Sequence, residues 1–196
     1  MTTFKLLICF CFVLSTFSYA QDLGAVIKVG NSHYGAVYIG SVGGSGGDYN
    51  WKVGQIVSVG TYFRLTQGPT LETLIEYSTH NYSPQSWESN PTNDPRNTVL
   101  ELTADSRFSI LSFSIAHLDL LGGLSLSREH EDMIQWKDSP TSSYERPSRT
   151  RTDLSVLAGT GIEFQITSTI TIILDGTWRM RYYLTPVAQL GVAYSI

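Results

Sequence analysis

The chain has 196 residues, with 13 Lys and Arg against 17 Asp and Glu, a formal net charge of −4 and only 15% charged residues. A soluble domain carries about 25%, so surface charge is scarce, while the 42% apolar content is too high for a disordered chain. An acidic balance without a Lys/Arg block argues against a nucleic-acid partner, and the length fits one domain.

The first segment reads as a leader. Lys5 precedes the apolar run LLICFCFVL (Leu6 to Leu14), and STFSYA follows with small residues at Ser18 and Ala20. A short charged region, an apolar core too short to span a bilayer and an A-x-A-like end predict a signal peptide over 1–20, Sec-type export and cleavage after Ala20. Cys9 and Cys11 both lie inside it, and neither follows the small residue that a lipoprotein site requires. The exported domain, 21–196, then has no thiol, no disulfide and no cysteine metal site. Loss of Lys5 leaves 12 basic against 17 acidic residues, a net charge of −5.

Beyond the leader the dominant period is two, which alternates side chains between the faces of a strand. His33 to Gly43 is read as the first strand, although Val37 and Ile39 compete with Ala36 and Tyr38 for its apolar face. Trp51 to Leu65 sets Val53, Val57, Val59, Phe63 and Leu65 on one side. Thr70 to Tyr82 sets Leu71, Ile75 and Tyr77 against Glu72, Glu76 and His80. Asn97 to Phe108 sets Leu100, Leu102, Ala104 and Phe108 against Glu101, Thr103, Asp105 and Arg107. In His117 to His130, Leu118, Leu120, Leu124 and Leu126 oppose His117, Asp119, Ser125, Ser127 and Glu129. Asp153 to Ile166 and Thr169 to Leu184 also alternate, with Leu157, Ile173 and Tyr183 on the otherwise polar faces, the second run setting Leu174 and Trp178 opposite Asp175, Arg179 and Arg181. Pro186 to Ile196 is the terminal strand. That makes eight, or ten if GAVIKVG (Gly24 to Gly30) and SILSFSI (Ser109 to Ile115) are short strands of their own.

Proline supports this segmentation. A central strand has no place for a residue without an N–H, and all seven prolines fall in connections or, at Pro186, on a strand's first residue. Long connections (GGSGGDYN, SPQSWESNPTNDPR and Glu131 to Thr150) gather at one end and short turns such as TQGP at the other, except that the link Tyr183 to Pro186 is short at the long end and the segment Ser109 to Ala116 is large at the short end. GGSGG lacks a following lysine-serine and reads as a loop rather than a phosphate cradle. GTW (Gly176 to Trp178) is similar to the lipocalin signature, but that belongs to a first strand.

A soluble sandwich also alternates, with its apolar face inward. Three features favour the inverted arrangement. The strands exceed the roughly 9 to 11 residues needed to cross a bilayer at a tilt. Their polar faces mix Gly, Ser and Thr with acids and arginines. Aromatics (Tyr62, Phe63, Tyr82, Phe108, Tyr182 and Tyr183) cluster near strand ends as an interfacial girdle would. A sheet that spans hydrocarbon must close on itself. The reading is an all-β, eight-stranded antiparallel up-and-down transmembrane barrel.

The chain's last residues, QLGVAYSI, resemble the C-terminal assembly signal of outer-membrane β-barrel proteins: polar Gln189, Gly191, aromatic Tyr194 and terminal Ile196 where the family usually has Phe. LDLLGGLSLS (Leu118 to Ser127) and VLAGTGIEFQI (Val156 to Ile166) are similar to strands of small barrels of the OmpA/OmpX type and of Bacteroidota-like bacteria. The resemblance implies a Gram-negative cell envelope, location in the outer membrane and insertion by the barrel assembly machinery. It also implies contact with outer-membrane lipid and porin-like, adhesive or structural roles; the fold does not choose among them.

The inward faces carry Arg64, Glu72, Glu76, Glu101, Asp105, Arg107, Asp119, Glu163, Asp175, Arg179 and Arg181. Unpaired, such charges would cost several kcal/mol each, so they read as a self-neutralising network that plugs the lumen. Two histidine settings are candidates for lipid-modifying catalysis: His80 with Ser83 in THNYS, and His130 with Glu129 and Glu131 in REHED. The first lacks the His-x-Ser-Asn pattern of lipid A deacylases, and the second is a solvated strand end. His33, His80, His117 and His130 show no metal spacing. No cofactor, metal or catalytic residue is assigned. The reading is a monomeric, non-catalytic outer-membrane barrel whose binding, adhesive or structural role lies in its loops, with Trp87, Trp136 and Tyr144 as candidate contacts for a ligand the sequence does not name. The competing readings are a secreted soluble β-barrel or sandwich that binds a ligand, and a lipid-modifying barrel enzyme.

Overall fold

The computed structural model describes residues 20–33, 37–38, 53–65, 68–81, 95–132, 148–180 and 183–196, and every regular element among them is a strand. In chain order these are β1 (Ala20–Ser32), β2 (Val37–Tyr38), β3 (Gly54–Leu65), β4 (Thr70–Asn81), β5 (Arg96–Ser112), β6 (Ala116–Glu131), β7 (Arg149–Gln165), β8 (Ile170–Met180) and β9 (Tyr183–Ser195). The eight long strands pair antiparallel in sequence order, and β1 pairs with β9 to close the sheet. The two-residue β2 adds to β9 opposite Leu184 and Tyr183.

Register partners can be followed once round the barrel, from Asp22 through Arg64, Thr70, Arg107, Leu121, Gly159, Thr177 and Val187. The path returns to β1 at Ser32, ten residues from its start. A stagger of this kind tilts barrel strands by about 35–45°. Eight strands leave a lumen that side chains can fill.

Alternation fixes what fills it. On β4, Ile75 is 58% exposed on the outer wall while Leu74 and Glu76 are each 2% exposed inside. On β8, Leu174 and Trp178 are 48% exposed and Asp175 and Arg179 are buried. The outer wall is apolar over most of its height, with Ile27, Val59, Leu102, Leu124, Val156 and Leu190 all exposed. Inside, Val26, Tyr62, Leu74, Ile173 and Ala193 pack as an apolar wedge, and buried charges share the rest with neutral polar side chains such as Ser58, Thr103 and Gln189 and with apolar Ile56, Val99, Leu121 and Leu157.

Strand lengths divide the wall. β5, β6 and β7 run 17, 16 and 17 residues, against 11 to 13 for the other five long strands. The β6–β7 ladder reaches Glu131↔Arg149, whereas the β7–β8 ladder begins at Val156↔Met180. β7 therefore runs seven residues past β8 at the end where segment 133–147 connects, whereas β5 ends level with β4 there at Arg96↔Asn81 and its extra residues, Phe108 to Ser112, lie at the opposite end. Short turns close the opposite end, as where Phe113 N donates to Ala116 O and Ile166 N to Ile170 O.

Four sequence readings need correction. The first barrel strand is Ala20–Ser32, not His33 to Gly43. Its inward Val26 and Lys28 blur the alternation, because an apolar residue and a charge share the face opposite Ile27 and Val29. SILSFSI adds no strand: Ser109 to Ser112 lengthens β5 through an irregularity between Ser109 and Leu111, and Phe113 to Ile115 turn the chain. Pro186 is not a first residue but lies within β9 opposite Trp178, its carbonyl accepting from His33 N. Tyr62 is no girdle aromatic; it shares the inward parity of Arg64, is 4% exposed and bonds the Ser195 hydroxyl. Tyr82, Tyr182 and segment 1–19 lie outside the described residues.

Candidate functional site

The charged side chains of the lumen are held by alternate positions on facing strands, so tiers of charge follow from register. The lower tier is centred on Arg107 of β5. Its Nε donates to Glu72 Oε1 at 3.0 Å, Nη1 to Asp119 Oδ2 at 3.3 Å and Nη2 to Asp175 at 2.6 Å. Lys28 of β1 donates to Glu72 from one side and to Asp175 at 2.7 Å from the other. Ser109 Oγ adds a bond to Asp119 at 2.7 Å. Glu163 sits 3.4 Å from Arg107 and 3.3 Å from Arg64. Asp105, the register partner of Glu72, has its Oδ1 without a hydrogen-bond partner among the described residues.

The upper tier is smaller. Arg179 of β8 donates from Nη2 to Glu76 at 2.5 Å and from Nη1 to Glu101. Between the tiers Gln189 donates to Ser58, and Ser125 bonds Ser155. Ten of the eleven charged residues read as inward are thus placed inside the wall, Arg64 at the mouth with its side chain 35% exposed. Arg181 lies outside the described residues.

Three participants escaped the sequence reading. Lys28 was missed because its segment was not assigned to the barrel. Arg151 donates to Glu129 at 2.6 Å and Arg149 to Glu131 at 2.6 Å, forming a rim of ion pairs at the long-strand end. The signal was available: Arg149 and Arg151 continue the alternation of β7 beyond Asp153, in a stretch read as loop.

Of the two histidine settings, the one at His130 does not form as the sequence suggests, and the partner read for His80 lies outside the described residues. His80 Nε2 lies 2.8 Å from Ser32 Oγ, with the two residues 1% and 3% exposed, and Ser83 lies outside the described residues. His130 is on the outer face, 2.9 Å from Thr150 Oγ1 and 3.4 Å from Asp132, while Glu129 points inward. No three His, Cys, Asp or Glu side chains among the described residues could hold a metal ion. Gln189 and Gly191 face inward in β9, and Tyr194 and Ile196 outward at 53% and 86% exposure. Trp87, Trp136 and Tyr144 lie outside the described residues.

A cavity of about 490 Å³ opens at the short-turn end. Arg64, Thr70, Ser112 and His117 line its sides, and Arg107, Asp119 and Glu163 of the lower tier also line it. A solute entering here meets Arg107 with donors already committed to three carboxylates.

No protein-family model matches the chain, and neither does any curated protein. Solved structures do. The attachment invasion locus protein Ail of Yersinia pestis superposes with a TM-score of 0.50 at 14% identity, covering 89% of this chain and 98% of that one. Neisserial surface protein A gives 0.51 at 13%, covering 89% and 96%. A major outer membrane protein of Thermus thermophilus gives 0.53 at 9%, covering 89% and 99%. At these identities the likeness is one of fold: a closed, all-antiparallel eight-stranded barrel like those of small outer-membrane proteins.

Proposed function

We propose that this chain is a non-catalytic integral outer-membrane barrel, inserted as a monomer after export, whose lumen is plugged and whose binding or adhesive role sits at the long-strand end. One observation carries the membrane reading: large apolar side chains are about half exposed all round the outer wall while Glu72, Asp119 and Arg179 are almost fully buried inside. In water that arrangement would waste roughly 25 cal/mol for each Å² of apolar wall left exposed; in hydrocarbon it is the stable one. Tiered ion pairs across the lumen support the plug and argue against free diffusion of solutes. The enclosed Ser32–His80 pair fits a packing bond better than turnover.

The binding role is assigned to the end where β6 and β7 pair as far as Glu131↔Arg149, beyond the last β7–β8 pair, and where β4 and β5 end at Asn81↔Arg96. Function concentrates on connections carried by a rigid scaffold, and segments 82–94 and 133–147, with Trp87, Trp136 and Tyr144, join these strands. Two structural neighbours are named for attachment and for the cell surface, which is consistent with this reading. Long connections face outward from the cell in such barrels.

Fractionation tests the location. The exported chain should stay with membranes until detergent is added and then show heat-modifiable gel mobility; recovery in the aqueous supernatant would sink the proposal. Protease on intact cells should cut in the connection near Arg146, for instance after Lys137, whereas cutting at the short turn around Gly68 in intact cells would reverse the orientation. Unchanged lipid profiles on deletion and overexpression are expected, and an altered profile would reinstate the lipid-modifying reading.

A further inference from the structure

The seam where β9 meets β1 joins the two sequence ends of the sheet, and with the other ladders fixed its register sets the shear. Two kinds of slip must be refused. A slip of one residue exchanges the faces of a strand. It would turn Lys28 outward and Ile27 inward, which the apolar wall and the acidic lumen both oppose. A slip of two residues leaves every face unchanged, so alternation cannot detect it.

Lys28 can. Its ammonium donates to Glu72 on β4 and to Asp175 on β8, one strand set on each side of the seam. Only one height of β1 against β9 lets the same ammonium reach both. Its stem needs a matching gap, because Lys28 is the register partner of Gly191. A Cβ on Gly191 would lie 2.5 Å from Lys28 Cγ, 3.2 Å from Lys28 Cβ and 2.7 Å from the Ile27 carbonyl oxygen. Among the described inward positions of β9 (Thr185, Val187, Gln189, Gly191, Ala193 and Ser195), Gly191 alone lacks a side chain. A two-residue slip sets Lys28 against Gln189 or Ala193, where that gap is missing, and moves its ammonium away from Asp175.

We propose that Lys28 and Gly191 together form a register key, which admits closure of β9 on β1 only at the ten-residue stagger and adds a cation to the acidic lower tier at the same step. This assigns Gly191 a role in the folded barrel, beyond any part it plays in a C-terminal signal. The ion pairs and the gap carry the inference; the outer-membrane reading enters only through the one-residue slip.

Disulfide trapping tests it. With Cys9 and Cys11 replaced by serine, cysteine pairs are introduced on the outer wall at Ile27 with Val192, the native partner, and at Ile27 with Leu190 or Tyr194, the partners after a two-residue slip. The parent chain should cross-link at 27–192 alone. Lys28→Ala and Gly191→Ala should each raise the 27–190 or 27–194 cross-link at least tenfold over the parent. Native cross-linking alone in both variants would overturn the proposal. If either variant fails to close, judged by lost heat-modifiable mobility, Lys28→Met decides, because it keeps the stem and removes the charge. Slipped cross-links in Lys28→Met, which has lost the ion pairs to Glu72 and Asp175, support the key, and closure at 27–192 alone or no closure in that variant overturns it. The cross-links report register wherever the chain resides, so their outcome is independent of the fractionation result.

Discussion

Arg107 and Arg149 each donate from Nε to a glutamate, at 3.0 and 2.6 Å. The first pair has side chains 2% and 1% exposed, the second 46% and 14%. The shorter contact is the weaker contributor. At the rim, water solvates both ions before and after folding and salt screens them, so such pairs contribute about 0–1 kcal/mol. Inside the lower tier each ion has given up its hydration, and removal of one leaves the others buried without compensation. Arg107 balances Glu72, Asp119 and Asp175 at once. The contrast teaches that contact length does not rank these ion pairs; burial and the number of partners do.

The largest expected effect follows from that. Arg107→Met should destabilise the barrel by about 3–5 kcal/mol, read from urea unfolding in detergent or bilayers; a loss near that of a rim variant would break the comparison. Next comes the same charge on the other side of the wall. Leu174→Arg places a guanidinium on the outer face near mid-height, beside Asp175 but pointing away from it, and should cost about 2–4 kcal/mol. The same substitution at exposed Thr152, beyond the β7–β8 ladder, should be tolerated in the same titration, and equal costs at the two sites would show that the apolar belt is misplaced.

Smaller effects sharpen the rim. Arg151, 23% exposed and shared between Glu129 and Asp153, should lose about 1 kcal/mol on replacement by alanine. Arg149→Ala should stay within about 0.5 kcal/mol. At 1 M salt the screening length falls to about 3 Å, so any rim contribution should vanish while the Arg107→Met deficit persists. A deficit that salt erased equally in both regions would mean that the lower tier is wetter than its burial implies.

Seven of the eight barrel strands were legible from period two alone, because one apolar and one polar face recur along each. The charged interior was legible for the same reason: once Leu102 is outward, Glu101 and Asp105 must be inward. β1 was not. With Gly24, Val26, Lys28 and Gly30 on one face and Ala25, Ile27 and Val29 on the other, both faces are largely apolar or small. Lys28 then looks like an interruption rather than an anchor. Its acids lie 44 and 147 residues away, a separation no local pattern encodes.

By itself, then, the sequence determined the class of fold, the outward and inward faces of most strands and the identity of most interior charges, because alternation is a local property of the chain. Partnership needed the closed sheet. Which acid meets which cation, how far β7 runs past β8 and how Lys28 comes to lie on Gly191 all depend on register between strands. Register is fixed by contacts summed round the whole barrel, and only the ten-residue stagger that closes it brings those side chains to the same height.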